Sequence, residues 1–373
     1  MYQYVFIIGR NPELSVAEIR AVLPNGRVVE QTSSFLIVET TDEIDGGGLL
    51  QQLGGTIKVG RVISETVNKD SIVESLKKIS SSGKLQFGIS FYDTVATKLG
   101  MEIKKELKNA GISCRLVTSR DKALSSVVVT KNKVHEFLIL KNKYIGQTQA
   151  VQAFEDYSSR DYGRPVRDTK AGTLPPKLAK IIINLAQQPH GATLLDPFCG
   201  SGTVIQEALL LGYENIIASD QSTKAVDDTK ENLVWLEKEL GMRNVELGNR
   251  LKSVKIFQTN VKELSKTVGR ADAIVTEPYL GPPLHGNERP EGIEKIVSEL
   301  EALYLAAFKE FAAILGTNGR VVIIFPFFKT FNLSLNIIDQ IKKLGFAQLD
   351  AGNLVYSRPD QQVWRQVHIF SFK

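Results

Sequence analysis

The stretch LLDPFCGSGT at residues 194–203 decides the fold of this chain. An apolar run ends at an aspartate, and a turn with two glycines leads into the helix-forming stretch GTVIQEALLLG. Strands and helices then alternate through NIIASD, KAVDDTKENLVWLEKEL, VKIFQTN, ADAIVTEP and RVVIIFP. This alternation, with apolar and β-branched strands, predicts an α/β fold with a doubly wound, mostly parallel, Rossmann-like sheet. Such sheets bind ligands beyond the carboxyl ends of their strands.

The turn inside this stretch has the features of a ligand-binding loop. Gly200 and Gly202 leave room for the backbone to approach a ligand, and the start of the next helix offers free amide donors. The pattern is neither a Walker loop nor G-x-G-x-x-G, which disfavours a phosphate site. Asp196, at the end of the strand, instead suggests a ligand with a positive charge. Taken singly, such a residue is better explained as a loop glycine or a helix-capping acid, whereas the whole set in register on successive strands favours a ligand site.

Polar residues also end the next two predicted strands. Asp220 follows Asp196 by 24 residues and lies where a doubly wound fold places an acid against ribose hydroxyls. Asn260, which ends VKIFQTN, is placed to meet the edge of an adenine. A ligand that is cationic near one loop and carries a ribose near the next acid fits S-adenosyl-L-methionine better than NAD. We therefore predict S-adenosyl-L-methionine as the cofactor.

The charge of the chain is concentrated in one segment. The 373 residues carry a net charge of +5, but residues 84–170 alone hold 16 Lys and Arg against 9 Asp and Glu. A basic segment within a nearly neutral protein is typical of a protein that binds a polyanion. A solvated, lysine-rich surface is the alternative, and charge alone leaves both open.

Composition disfavours several classes of protein. Hydrophobic residues make up 43% of the chain, yet no run of about 18 apolar residues could span a membrane. The N-terminal residues lack the basic region and cleavage site of a signal peptide. The two cysteines are far apart and the four histidines are scattered, which disfavours disulfides and a metal site. We expect a cytoplasmic protein without a metal or a membrane partner; the oligomeric state stays open.

Four segments follow from the pattern of predicted elements. Residues 1–58 read as strand, helix and strand, and residues 59–155 as a second small α/β unit with a β-rich end that includes SSVVVTKNK as a strand. Residues 156–172 form a charged linker, and residues 173–373 contain the alternating sheet.

Motif DPFCGSGT resembles motif I of class I S-adenosylmethionine-dependent methyltransferases that modify exocyclic nitrogens of nucleic-acid bases. This resemblance implies that Phe198 and Thr203 also contribute to the cofactor site. The upstream stretch GTLPPKLAKIIINLA is similar to the preceding motif in RNA-modifying members. It implies that Thr173 and Pro175 line the cofactor pocket.

The N-terminal half is similar to archaeal and bacterial THUMP-containing tRNA guanosine N2-methyltransferases of the guanine-10 kind. The opening YVFIIGRNPELSVAEIRAVL resembles their ferredoxin-like unit. The stretch QAFEDYSSRDYGRPVRD, with the basic segment before it, resembles the end of a THUMP RNA-binding domain and its exit linker. The resemblance covers nearly the whole chain. It implies a ferredoxin-like unit at 1–58, a THUMP-like domain at 59–155, a methyltransferase domain at 173–373, and tRNA or another structured RNA as the partner.

In that family the fourth strand ends in [D/N]-P-P-[Y/F], where the acid or amide and a backbone carbonyl hold the target amine and the aromatic ring stacks on the base. The chain has VTEPYLGPPL at residues 275–284 instead. Alignment on Tyr279 puts Thr276 at the acid position, whereas alignment on the acid makes Glu277 the carboxylate. Both alignments keep Tyr279 as the stacking ring and a carbonyl near Pro278.

The chemistry of the bases favours guanine as the target. Guanine presents two adjacent donors, N1–H and N2–H₂, to which one carboxylate can bind, whereas adenine sets a lone pair against it. We hypothesise that Glu277 binds this edge while Tyr279 stacks on the ring. The plainer alternative is a rigid turn in which Glu277 pairs with a surface lysine. Arg358 and Arg365, near the C-terminus, are expected to face RNA.

The sequence thus favours a tRNA guanosine N2-methyltransferase. One alternative keeps the chemistry and changes the substrate to ribosomal RNA or DNA. Another is an RNA-binding protein whose methyltransferase domain is idle, an alternative that the altered motif TEPY keeps open.

Overall fold

The computed structural model describes residues 1–79, 83–167, 172–240, 245–284, 286, 288–358 and 361–373. The chain divides into two compact units. The first contains Met1–Val16 and Leu23–Glu155, and the second contains Ala17–Val22 and Asp156–Lys373. No helix within the described residues combines the length and the apolar character that a membrane span needs.

The first unit is built on an eight-stranded sheet in the order β2-β3-β1-β4-β8-β7-β5-β6. All neighbours are antiparallel except β5 with β6 and β5 with β7. The strands are β1 (Tyr2–Ile8), β2 (Arg27–Gln31), β3 (Phe35–Thr40), β4 (Thr56–Ser64), β5 (Leu85–Tyr92), β6 (Cys114–Val117), β7 (His135–Leu140) and β8 (Tyr144–Val151). The helices of this part of the chain are α1 (Pro12–Val22), α2 (Gly46–Gln52), α3 (Lys69–Lys77), α4 (Leu99–Asn109) and α5 (Ser126–Lys131).

This sheet contains strands from both predicted N-terminal segments. β1 pairs with β4, and β4 continues the sheet to β8. A shared core cluster contains Val5 and Phe35 from the first segment and Leu138 from the second. The two segments therefore form one compact unit, while their assignment as a ferredoxin-like unit and a THUMP-like domain stays a prediction.

The expected strand in SSVVVTKNK is wrong, because Ser126–Lys131 forms α5. Ser125 begins this helix, and its side-chain oxygen accepts a hydrogen bond from the backbone amide of Val128. Val129 is buried against Leu124 and Val134. Capping and local packing outweigh the strand preference of three consecutive valines.

The second unit is built on a nine-stranded sheet with the main order β11-β10-β9-β12-β13-β17-β15; β14 pairs with β13 and β16 with β17. The five strands from β11 to β13 are parallel, and β17 runs antiparallel to β13 and β15. The strands are β9 (Thr193–Asp196), β10 (Asn215–Asp220), β11 (Lys255–Gln258), β12 (Ala271–Thr276), β13 (Leu315–Phe328), β14 (Leu333–Ser334), β15 (Phe346–Gln348), β16 (Val355–Tyr356) and β17 (Val363–Phe372). The predicted mixed α/β class with a mostly parallel, doubly wound sheet is confirmed.

The helices of this part of the chain lie before, between and after the parallel strands of the sheet. They are α6 (Phe154–Ser158), α7 (Pro176–Leu185), α8 (Thr203–Leu211), α9 (Thr223–Leu240), α10 (Val245–Leu251), α11 (Pro290–Ile314) and α12 (Ile338–Lys343). A π-helical turn over Ser159–Gly163 continues α6. The predicted linker 156–172 is thus partly helical, and its residues 168–171 lie outside the described part of the chain.

In the second unit an aromatic core packs against the sheet, and polar residues end three neighbouring strands at one edge of it. Aromatic side chains of α11, including Tyr304, Phe308 and Phe311, are fully buried with Phe325 of β13. Three neighbouring parallel strands, β10, β9 and β12, end at residues 220, 196 and 276. Because parallel strands end at a common edge, the polar side chains of these three residues are brought to one side of the sheet.

Candidate functional site

A cavity of about 810 Å³ lies beyond the carboxyl ends of β9, β10 and β12. This volume is in the range of sites that hold a small molecule. Most of the side chains predicted from the sequence contribute to its lining: Thr173, Asp196, Phe198, Gly200, Thr203, Asp220, Glu277, Pro278 and Tyr279. The glycine turn (residues 200–202), through Gly200, and the EPY segment (residues 277–279) therefore line the same cavity.

Four predicted site residues lie outside this lining. Thr276 is fully buried behind Asp196, Pro175 is buried directly before α7, and Gly202 begins α8. Asn260 begins the 3-10 helix Val261–Lys266, and its side-chain oxygen accepts a hydrogen bond of 3.0 Å from the amide of Lys262. The predicted contact between Asn260 and adenine stays a prediction.

Asp196 is a buried carboxyl group on the floor of the cavity. Thr276 donates its hydroxyl hydrogen to Asp196 Oδ1 at 2.6 Å, and the amide of Phe198 donates to the same oxygen at 3.1 Å. Burial is the largest influence and raises the pKa of Asp196 to about 7, against the opposing effect of these hydrogen bonds. A cation in the cavity would stabilise the ionised form, so the site favours a positively charged ligand.

The glycine turn has two positions that need glycine for different reasons. Gly200 has a φ of +53°, and a Cβ atom at this position would meet no atom of the described residues within 4 Å. Gly202 has a φ of +82°, and a Cβ atom there would lie 2.9 Å from Cγ2 of Thr229. Gly200 therefore leaves open space beside the cavity, whereas Gly202 allows the turn to pack against α9.

Asp220 connects the glycine turn to the second strand end. Its Oδ2 accepts a hydrogen bond from the amide of Gly200 at 3.1 Å, and its Oδ1 accepts one from the amide of Ser222 at 2.9 Å. Each carboxylate oxygen keeps a further lone pair that a hydroxyl group in the cavity could use. This geometry suits an acid that binds a diol such as ribose.

Arg164 is a buried residue next to the cavity that the sequence pattern did not single out. Its Nη1 donates to Oγ1 of Thr203 at 2.7 Å, and among the described residues its Nε and Nη2 have no hydrogen-bond partner. Burial lowers the pKa of Arg164 to about 10. Because the Thr203 hydroxyl accepts from Arg164, its own hydrogen is free to be donated to an acceptor in the cavity. No local signal marks this arginine, since its partner is 39 residues away.

Glu277 lines the cavity while paired with a buried arginine. Arg365 Nε lies 2.5 Å from Glu277 Oε1, and Arg365 Nη2 lies 3.4 Å from Glu277 Oε2. The side chains of Glu277 and Arg365 are only 12% and 6% exposed. The expectation that Arg365 faces RNA is wrong, because β17 directs its guanidinium into the protein. The partner of Glu277 is this buried arginine and not a surface lysine.

Tyr279 presents its ring to solvent at the mouth of the cavity. The residue is 52% exposed, which is unusual for a large aromatic side chain. Its backbone carbonyl lies 3.2 Å from the hydroxyl of the fully buried Tyr304, which also lies 3.2 Å from the carbonyl of Ile324. Tyr304 thus supports the backbone beneath an exposed ring.

The lining has the groups that S-adenosyl-L-methionine requires. Asp196 provides a carboxyl group whose charged form a cation would stabilise, and Asp220 provides acceptors for hydroxyl groups. Phe198, Val204 and Leu303 add an apolar surface. Among the described residues no cluster of His, Cys, Asp and Glu has the arrangement of a metal site.

Two family models match the chain. The model described as an RMKL-like methyltransferase domain matches residues 164–345, which include the glycine turn, both strand-end acids and the EPY segment. A model described as a DNA methylase matches residues 95–231 and ends before the EPY segment. The first match makes this region methyltransferase-like and supports S-adenosyl-L-methionine as its cofactor.

Curated proteins with similar sequences carry the name tRNA (guanine(10)-N2)-dimethyltransferase. One from Methanothermobacter thermautotrophicus is 30% identical over 128 residues, which are 34% of this chain and 33% of that protein. Another from Methanocaldococcus jannaschii is 34% identical over 158 residues, which are 42% of this chain and 38% of that protein. The chain thus matches about a third of the length of these relatives.

Two solved structures share the fold. TrmN from Thermus thermophilus aligns with a TM-score of 0.54 and 16% identity, with 100% of both chains covered. A "possible methylase" from Clostridium difficile 630 aligns with a TM-score of 0.51 and 16% identity, covering 100% of this chain and 97% of that one. These structures confirm the predicted Rossmann-like fold. The family match and the curated relatives confirm the predicted resemblance to RNA methyltransferases.

Proposed function

We propose that this protein transfers a methyl group from S-adenosyl-L-methionine to the exocyclic N2 amine of a guanosine in tRNA. The observation that carries this proposal is that one cavity is lined both by the turn of Asp196 and Gly200 and by Glu277 and Tyr279. The first pair suits a cationic cofactor, and the second pair suits a purine with two adjacent donors. The tRNA guanine-N2 names of the curated relatives support the same substrate.

S-adenosyl-L-methionine supplies an electrophilic methyl group when it is bound. The residues of this chain contribute positioning, because methyl transfer to an amine needs alignment more than a strong base. Asp196 offers a negative charge on the floor of the cavity, and Asp220 offers acceptors for hydroxyl groups. Thr203, which accepts a hydrogen bond from Arg164, keeps its own hydrogen to donate.

Glu277 would select guanine through the edge that carries N1–H and N2–H₂. Its Oε1 lies 2.5 Å from Arg365 Nε, while its Oε2 lies at the longer distance of 3.4 Å from Arg365 Nη2. Each oxygen has a second lone pair, so both can still accept a hydrogen bond from the base. Because Arg365 already occupies both oxygens of the Glu277 carboxylate with hydrogen bonds, we infer that the amine proton leaves to water after transfer.

Tyr279 would stack on the guanine that Glu277 binds. A base stacked on an aromatic side chain gains about 1–3 kcal/mol. If the guanine is paired in the RNA, it must first leave the duplex at a cost of a few kcal/mol, and stacking on Tyr279 offsets part of that cost.

A second candidate is the same reaction on DNA, which the DNA methylase match to residues 95–231 favours. That match ends before Glu277, so it includes the proposed cofactor loop but not the residues proposed to bind the base. The positive charge of residues 84–170 fits either polyanion. The names of the curated relatives make tRNA the first substrate to test.

The deciding experiment incubates the protein with methyl-labelled S-adenosyl-L-methionine and an unmodified tRNA transcript. Digestion to nucleosides and mass spectrometry then identify the labelled product. We expect N2-methylguanosine or N2,N2-dimethylguanosine, and label in an adenosine or cytidine would contradict the proposal.

Further controls separate the alternatives. Ribosomal RNA and duplex DNA replace tRNA in parallel, and faster transfer to either would change the substrate. Glu277→Gln and Glu277→Ala test the role of the carboxylate, and activity within about threefold of wild type, ~0.7 kcal/mol, would remove Glu277 from the mechanism. Calorimetric binding of the cofactor without transfer to any nucleic acid would indicate an idle domain.

A further inference from the structure

The segment before the methyltransferase sheet is fixed to the second unit by buried contacts. Arg160 Nε lies 2.6 Å from Glu207 Oε1, with both side chains almost fully buried. Arg164 Nη1 donates to Thr203 at 2.7 Å. Asn232 donates to the carbonyl of Val166 and accepts from its amide, at 2.9 and 3.1 Å. Three successive anchors therefore hold residues 160–166 in one conformation.

Tyr162 lies between these anchors and points the other way. It is 63% exposed, more than Tyr279. The Tyr162 ring contributes little to the hydrophobic core, yet the contacts on either side of it hold its backbone in place. Because a rigid aromatic surface binds a flat partner at little entropic cost, Tyr162 has the properties of a stacking surface.

Positive charge surrounds this ring. Arg167 Cζ lies 5.7 Å from the centre of the Tyr162 ring, and Arg167 also lines the cavity. Arg358 donates to the Tyr356 hydroxyl at 3.1 Å and is close enough to Tyr162 and Asp161 to interact with both electrostatically. One carboxylate, Asp161, thus lies among two arginines at this surface.

The surface is continuous with the wall of the cavity through the C-terminal hairpin. Tyr356 of β16 is paired with Arg365 of β17, the residue that holds Glu277. Arg167 connects Tyr162 to the cavity from the other side. An RNA strand whose target base enters the cavity must leave its neighbouring nucleotides outside it, and this surface adjoins the cavity through Arg167.

We propose that Tyr162, Arg167, Tyr356 and Arg358 form a docking surface for the nucleotides that flank the methylated guanosine. This inference rests on the proposed function, since it takes RNA as the substrate. Tyr162 stacks on a flanking base, and the two arginines bind the adjoining phosphates. This surface makes no contact with the hydrogen-bonding edges of the bases. It binds the RNA strand beside the target guanosine and thereby holds that guanosine in the cavity.

The test measures binding of a fluorescently labelled, unmodified tRNA transcript and of a short single-stranded RNA to the full chain, by anisotropy. Tyr162→Ala and Arg358→Ala should each weaken binding about fivefold or more. Tyr162→Phe, which keeps the ring, should bind as wild type. Arg358→Ala should also lower the slope of log affinity against log salt by about one.

Lys295→Ala is the matched control for loss of charge, because Lys295 lies on α11 with its side chain 80% exposed. It should bind RNA as wild type. Affinity for S-adenosylhomocysteine should be unchanged in the Tyr162 and Arg358 variants, since these residues lie outside the proposed cofactor contacts. Their thermal unfolding should match wild type, because Tyr162 is exposed and Arg358 is only partly buried.

Two outcomes distinguish this inference from the proposed function. If Tyr162→Ala and Arg358→Ala bind both RNAs within twofold of wild type and of Lys295→Ala, the docking surface is wrong even when N2-methylation of tRNA is observed. If these variants lose affinity but wild type methylates no guanosine, RNA binding by this surface stands and the proposed reaction is wrong.

Discussion

Arg365 and Glu277 form a nearly buried, two-contact ion pair at the wall of the cavity, with Nε–Oε1 at 2.5 Å and Nη2–Oε2 at 3.4 Å. The pair joins β17 to the loop after β12. It orients the carboxylate proposed to bind guanine. If Glu277 binds the base as proposed, Arg365 is a positioning residue that acts on the substrate through Glu277.

Replacing Arg365 with Met should remove the group that orients the Glu277 side chain while leaving the carboxylate itself in place. Arg365→Met leaves the Glu277 carboxylate nearly buried without its cation, which should lower the free energy of unfolding by about 3 kcal/mol. The kcat for tRNA should fall at least about tenfold, while affinity for S-adenosylhomocysteine stays within twofold. Thermal denaturation, steady-state kinetics and calorimetry give these three quantities.

The double variant Glu277→Gln with Arg365→Met is the control. It removes the unpaired charge, so it should recover most of the stability lost in Arg365→Met without recovering activity. If Arg365→Met alone keeps wild-type kcat and selectivity for guanine, Arg365 has only a structural role.

The ion pair also illustrates what the sequence could not reveal. Glu277 and Arg365 are 88 residues apart, and Thr276 and Asp196 are 80 apart. Local spacing predicts that acids end successive strands, because strand periodicity and glycine turns are local properties. It does not predict which distant side chain satisfies each acid, because those pairings depend on strand order and on the direction of the side chains. For the same reason, local spacing does not predict the hydrogen bond between Arg164 and Thr203.

The α5 helix shows a second limit, within a local pattern. Three valines at 127–129 favour a strand, but the Ser125 cap and the burial of Val129 produce a helix. Asp196 and Asp220, by contrast, are the last residues of β9 and β10, as the sequence indicated. Fold class followed from alternation over many elements, so one wrong element did not alter it.

Tyr279 should contribute through its ring and not its hydroxyl. Tyr279→Ala should lower kcat/KM for tRNA by about 5- to 150-fold, the equivalent of about 1–3 kcal/mol of stacking. Tyr279→Phe should stay within about twofold. Because the side chain is 52% exposed, neither change should alter the free energy of unfolding by more than about 0.5 kcal/mol. Equal activity of the Ala and Phe variants would exclude stacking.

Asp196 should make the stability of the protein depend on pH. Burial raises its pKa to about 7 in the fold, against about 4 in the unfolded chain. Between these values the folded protein retains a proton that the unfolded chain has lost. The free energy of unfolding therefore falls as pH rises through this window, and the loss is complete above about pH 7.

Asp196→Asn should remove this dependence. The stability of the variant relative to wild type should increase by about 2 kcal/mol between pH 5 and pH 8 in the absence of ligand. Urea denaturation at both pH values measures the difference. A constant difference would show that Asp196 has an ordinary pKa in the fold.

The same titration should control binding of the cationic cofactor. Affinity for S-adenosyl-L-methionine should fall as pH decreases below about 7, because a cation binds the ionised form of Asp196 more tightly. The Asp196→Asn variant should bind more weakly at pH 8, with a flatter pH profile. Calorimetry from pH 6 to pH 8 makes the comparison, and parallel profiles for the two proteins would contradict the assignment.

Alanine substitutions at Gly200 and Gly202 should have different effects on cofactor binding and on stability. Alanine at either position adopts a left-handed conformation that costs about 1–2 kcal/mol. Only Gly202→Ala also places a Cβ 2.9 Å from Cγ2 of Thr229, so it should be the more destabilised variant. Gly200→Ala puts its Cβ into open space at the lining of the cavity, so it should lose the greater share of cofactor affinity.

A rescue variant makes this comparison specific. Thr229→Ser removes Cγ2 but keeps the hydroxyl that donates to the carbonyl of Gly200 at 2.8 Å. In the Gly202→Ala background it should restore part of the lost stability, because the closest contact is gone. In the Gly200→Ala background it should restore no cofactor affinity, since Thr229 does not obstruct that position. Rescue of binding in the second background would mean that Gly200 acts through packing and that the open space beside it is not where the cofactor lies.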